Sequence, residues 1–188
     1  GGEGRGALRP QCTMLAYRHA FHAGNHGDVL KHLVLTLVLQ HMTQKQKGLR
    51  YVETHAGAGA YALSGGPAAK KAEYRGGIGA LWNLADVPPP VGDYLALVRA
   101  FNGAAGTLLR YPGSPAIARA LLRPQDRMVL YELHPADHRL LARRFARHKG
   151  VRVEHAASGF TVYGASMPSC QTGLPDARSY AATTSRVP

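Results

Sequence analysis

Leu49-Arg-Tyr-Val-Glu-Thr-His-Ala-Gly-Ala-Gly-Ala-Tyr61 is the stretch that decides the fold. Leu49–Thr54 suits a short strand, and the small residues that follow break it at once into a turn. Two later segments read as strands as well. Arg127–Glu132 (RMVLYE) leads into a helix from Pro135 through Lys149, and Val151–His155 (VRVEH) comes next. Upstream, Asp28 is placed to cap a helix through VLKHLVLTLVLQHMTQKQK that stops at Gly48. Val29, Leu30, Leu33, Val34, Leu37, Val38 and Met42 give that helix a broad apolar face. Residues 72–85 and 93–102 read as helical, with the loop DVPPPVGD between them because proline disrupts a helix interior. Ser114-Pro115 opens another helix, with serine as cap and proline in the first position. Strands alternating with helices predict an α/β fold with a parallel, doubly wound sheet.

Composition narrows the classes of function. The chain has 188 residues, 23 Lys+Arg against 11 Asp+Glu, and a net charge of +12. Such an excess points to a polyanionic partner, nucleic acid first among them. Two cysteines cannot build a disulfide framework or a four-cysteine zinc site. No run approaches the ~20 apolar residues of a membrane-spanning helix. Residues 1–13 hold little that could pack and read as a disordered leader or a misplaced start ahead of Met14. In residues 158–188, Ser, Thr, Gly and Pro make up 15 of 31 positions, so an irregular tail is expected. All ten histidines lie between these flanks, in residues 14–157, and the chemistry is to be sought there.

Four constellations stand out. In Glu53-Thr-His55-Ala-Gly57-Ala-Gly59, glycines permit unusual backbone angles and close approach of a ligand, while the acid can take a polar group. The spacing suits an S-adenosylmethionine (SAM) site better than a dinucleotide site, which prefers a third glycine; taken alone it also suits a tight structural turn. Glu132 closes the apolar strand Met128–Tyr131, where an acid can accept ribose hydroxyls or cap a helix. The run Tyr17–Asp28, followed by Lys31 and His32, is rich in histidine but matches no zinc template, so no metal is expected. Its Arg18 and Lys31 can meet phosphate or carboxylate, and Tyr17 and Phe21 can stack on a base. Arg139, Arg143 and Arg147 recur at i+4 opposite Leu140, Leu141 and Phe145, a basic stripe suited to a phosphate backbone or to solvent.

YRHAFHAGNHGDVLKH (17–32), THAGAGAY (54–61), YPGSP (111–115) and ELHP (132–135) follow in this order. Over residues 14–157 they resemble the adenine-N6 methyltransferases of bacterial large-subunit (23S) rRNA in the J family. The resemblance implies a Rossmann-like, SAM-dependent fold with a small helical insert, roughly residues 64–110. It implies cofactor contacts at Lys31, His32, His55, Ser114 and Glu132, beside Gly57 and Gly59, and an RNA contact at Tyr17. It further implies a cytoplasmic monomer whose partner is 23S rRNA.

The departures bear on activity. Ala157-Ser158-Gly159 stands where the family has an acidic residue followed by glycine, and no Asp-Pro-Pro-Tyr or Asn-Pro-Pro-Tyr run occurs. Adenine N6 is a weak nucleophile, and that motif accepts its hydrogens and stacks the flipped base. Losing a proton acceptor forfeits ~10²–10⁴ in rate, so no catalytic residue is assigned and no turnover is expected. A sheet truncated after three strands would leave Leu49–Thr54 as an apolar edge. The change of texture at 157/158 reads as a reading-frame shift, which an Asp-Pro-Pro-Tyr codon run downstream in another frame would bear out. Two rivals remain: a non-catalytic basic RNA-binding module, and a nucleotide-linked oxidoreductase disfavoured by the missing third glycine.

Overall fold

A computed structural model of the chain describes residues 19–103 and 106–155, all within one unit spanning residues 1–158. The leader, Tyr17, Arg18, the Ala157-Ser158-Gly159 departure and the tail lie outside the described residues. In chain order the elements are α1 (His26–Thr43), β1 (Arg50–Glu53), β2 (Ala60–Ala62), α2 (Pro67–Lys71), α3 (Ile78–Trp82), α4 (Pro89–Asn102), β3 (Arg110–Pro112), α5 (Ser114–Leu121), β4 (Arg127–Tyr131), α6 (Pro135–Phe145) and β5 (Val151–Glu154). Short 3-10 turns occupy His19–Phe21 and Glu73–Arg75.

The three expected strands form a parallel sheet in the order β1-β4-β5, with Val52 opposite Val129 and Leu130 opposite Val153. Alternation along each strand sends Tyr51, Met128, Leu130, Val151 and Val153 to one face. There they pack with Leu39 of α1, Ala118 of α5, and Leu141 and Phe145 of α6. The other face carries Val52, Val129 and Tyr131, and among the described residues no core cluster forms on it. Among the described residues the helices that pack on this sheet lie on one face, within the expected α/β fold with a parallel sheet. Among the described residues β1 is an edge strand, and Val52 is half exposed. Arg123 and Asp126 hold β1 in register. Asp126 accepts the Leu49 N–H at 2.9 Å, while the Arg123 guanidinium donates to the carbonyls of Thr43, Lys45 and Lys47.

Sequence periodicity missed a second, antiparallel pairing. β2 and β3 form a two-stranded ribbon with Tyr61 opposite Tyr111. Helices α2, α3 and α4 lie between them in sequence and build a second apolar cluster around Ile78, Tyr94, Leu95 and Val98. Strands this short carry no readable alternation.

Several helix starts differ from expectation. Asn25, not Asp28, caps α1, its side chain accepting the Asp28 N–H at 3.0 Å. Pro89 and Pro90 occupy the first turn of α4, where their missing N–H groups are harmless, so DVPPPVGD is partly helix. Gly113 is the cap residue of α5 and Ser114 its first helical residue. Helices α1 and α6 stop at Thr43 and Phe145, short of Lys47 and Lys149. The apolar face of α1 also divides. Asp28, His32, Thr36 and Leu39 are buried, whereas Leu30, Val34, Leu37, Val38 and Met42 are exposed.

Candidate functional site

A cavity of about 690 Å³ opens at the carboxyl ends of β1 and β4, the position where parallel α/β sheets bind ligands. Its walls come from four separate stretches of sequence.

The first stretch leads into α1, and Asp28 organises it. This carboxylate is buried, and its Oδ2 accepts His19 Nε2–H at 2.9 Å and the Gly24 N–H at 3.0 Å. Its Oδ1 pairs with Lys31 Nζ at 2.9 Å. Burial works against its charge, but the hydrogen bonds from His19 and Lys31 win and hold the carboxyl well below the usual range. His19 and Lys31 are thereby brought to the cavity wall. His32 lies beside them, its Nδ1 2.7 Å from the Tyr111 hydroxyl. Burial pushes its pKa down to about 4, so the ring is neutral at pH 7.

β1 ends on Glu53, whose carboxylate accepts the Tyr51 hydroxyl at 2.8 Å and the Ser114 hydroxyl. Burial raises the Glu53 pKa, and these two hydrogen bonds oppose the rise. The glycine turn follows. Gly57 has φ +61°, and a Cβ there would lie 2.2 Å from the Tyr61 hydroxyl, so only glycine fits. Gly59 is set apart from the lining. At φ +74° it faces α6, where a Cβ would meet Leu141 at 3.0 Å, so it serves close packing of turn on helix.

Glu132, just past β4, joins the remaining parts. One oxygen accepts the Gly57 N–H and the other the His134 N–H, both at 2.7 Å. Each oxygen keeps a second lone pair. His55 sits exposed on the lining, its Nδ1 2.9 Å from the Thr54 hydroxyl. Lys31, His32, His55, Gly57, Ser114 and Glu132 thus line one cavity. Glu53, the acid of the glycine motif, lines it too, as do His19, Tyr61, His134 and Asp137, to which no site role was given from sequence. His19, Glu53, Tyr61 and His134 all lie within the quoted motifs; Asp137 lies outside them. His134 Nδ1 is buried without a hydrogen-bond partner, 3.9 Å from Asp137 Oδ2.

On the outer surface, Arg139 and Arg143 project from α6, but Arg147 follows its end and Leu140 is exposed beside them. Arg110 and Arg144 both lie over the Phe101 ring, at 5.4 and 5.5 Å. Among the described residues no helix is long and apolar enough to cross a membrane.

A family model described as ribosomal RNA large subunit methyltransferase D, RlmJ, matches residues 46–174. The chain belongs to this family. Its match extends past the change in composition at 157/158. Two curated relatives, each named ribosomal RNA large subunit methyltransferase J, align over 155 residues and 82% of this chain. The Haemophilus influenzae protein is 45% identical and the Escherichia coli protein 47%. The chain spans about half of these relatives, 55% of the length of each. A solved structure from Legionella pneumophila is 39% identical, with a TM-score of 0.66, covering 72% of this chain and 49% of that one.

Proposed function

We propose that the cavity binds SAM, and that this chain contributes cofactor and RNA binding to methylation of adenine N6 in 23S rRNA. The observation that carries this reading is the convergence of Lys31, His32, Gly57, Ser114 and Glu132 from distant parts of the chain on one cavity. The volume falls in the usual range of small-molecule sites, about 300–1,000 Å³. The donor set also fits. Lys31 and neutral His32 suit a carboxylate, and the spare lone pairs of Glu132 suit ribose hydroxyls. Ser114 donates its hydroxyl hydrogen bond to Glu53 and offers its oxygen lone pairs as an acceptor. SAM, when bound, supplies an electrophilic methyl group on a sulfonium. The acceptor motif that would receive adenine N6 is not among these 188 residues, so they are assigned binding and no turnover. Tyr17 and Arg18 are assigned to the RNA, and the chain to the cytoplasm.

Calorimetry with SAM tests the reading. One site per chain is expected, with binding weakened about tenfold or more in Glu132→Ala, which removes two backbone hydrogen bonds and the ribose acceptor. A chain that binds rRNA fragments in a salt-dependent way yet takes up no SAM would establish the basic RNA-binding module instead.

A further inference from the structure

Behind His32 lies a line of buried hydroxyl groups that the binding reading leaves without a role. Tyr94 of α4 and Tyr111 of β3 are fully buried. Their hydroxyl oxygens are 2.9 Å apart, and that of Tyr111 is 2.7 Å from His32 Nδ1. The Tyr111 ring also stacks on the imidazole, with centroids 5.4 Å apart. Burial raises the pKa of both phenols, so each keeps its proton.

Proton counting along this line has one satisfactory solution. The Tyr94 hydroxyl has no other hydrogen-bond partner among the described residues, so its proton must go to the Tyr111 oxygen. Tyr111 then donates its own proton to His32 Nδ1. A neutral imidazole that accepts at Nδ1 carries its proton on Nε2. The reverse order would strand the Tyr94 proton in an apolar interior, which is strongly disfavoured. Nε2 bonds no protein group among the described residues, and the ring lines the cavity.

We infer that Tyr94 and Tyr111 are positioning residues that hold His32 in its neutral Nε2–H tautomer, so that the cavity presents an uncharged N–H donor beside the Lys31 ammonium. The pair suits a ligand group with several lone pairs, a carboxylate above all. Identifying that group as the carboxylate of SAM rests on the proposed function; the tautomer does not.

Nitrogen-15 NMR of the histidine rings in the ligand-free chain is the direct test. The expected spectrum has His32 protonated at Nε2 and bare at Nδ1. An Nδ1–H tautomer or an imidazolium at pH 7 overturns the inference, and this reading needs no variant. Tyr111→Phe should mix the tautomers and weaken SAM binding on the order of tenfold. An unchanged tautomer in that variant also overturns it. His32→Gln keeps an N–H donor on a side chain that has no second tautomer for Tyr111 to select. In that background Tyr111→Phe should change affinity less than about twofold. A full tenfold loss there would mean that Tyr111 acts through packing, against the inference. Failure of the wild-type chain to bind SAM would remove the proposed function, while the ring spectrum would still decide the tautomer.

Discussion

Asp28 and His32 show how one turn of helix sets the electrostatics of the cavity. The carboxylate is held ionised by His19 and Lys31, and the imidazole one turn further on is held neutral by burial. The pKa of His32 is thus lowered from 6.5 to about 4 on folding. Between these values the unfolded chain binds the extra proton, so stability rises with pH through this window and is fully present above pH 6.5. Its loss on acidification to pH 5 amounts to roughly 2 kcal/mol. Urea midpoints at pH 5 and pH 7 measure it, and His32→Gln should flatten the difference. The sign is opposite to that of a histidine stabilised by gaining a charge partner. Asp28, with its lowered pKa, contributes stability that is fully present above about pH 4 and is lost progressively as the pH falls below it.

The glycine turn between β1 and β2 works as an element because three hydrogen bonds hold it. The Ala56 N–H donates to the Tyr131 carbonyl, the Gly57 N–H to Glu132, and the Gly113 N–H to the Gly59 carbonyl. These bonds tie the end of β1 to β4 on one side and to the start of α5 on the other. Gly57→Ala would set a methyl group against the Tyr61 hydroxyl and force a side chain into a left-handed conformation. Destabilisation of about 2–3 kcal/mol is expected from the collision and the backbone strain together. Adding Tyr61→Phe removes the collision and leaves the backbone term, so the double variant should recover part of the loss in a denaturation curve.

At the scale of the whole molecule, the unpaired surface is as informative as the packed one. α1 exposes Leu30, Val34, Leu37, Val38 and Met42, each more than 40% accessible, and β1 is an edge strand beside an uncovered sheet face among the described residues. A contiguous apolar stripe of this kind promotes association. The weight-average mass from light scattering should rise with protein concentration, and rise less in a Val34→Lys, Val38→Lys variant. Neither residue touches the cavity, so SAM binding should be unchanged, and stability should move by no more than about 0.5 kcal/mol per substitution.

The sequence by itself determined the segments and much of the lining. Strands at 50–53, 127–131 and 151–154, the glycine turn, and the acids that close two strands all follow from local composition, because they depend on near neighbours. Glu132 was legible from its place at a strand end and Lys31 from its charge, whereas His32 and His55 came from the family resemblance of the motifs that hold them. Only the tertiary structure decided which partners those residues have. His32 meets Tyr111 across 79 residues of chain, Gly57 meets Glu132 across 75, and Ser114 meets Glu53 across 61. Asp28 looked like a cap because capping is a local pattern; its role as a buried anchor depends on His19 and Gly24 folding back over it. The face of α1 that enters the core was likewise set by what packs against it. Periodicity records which residues are apolar, and burial depends on where the rest of the chain comes to lie.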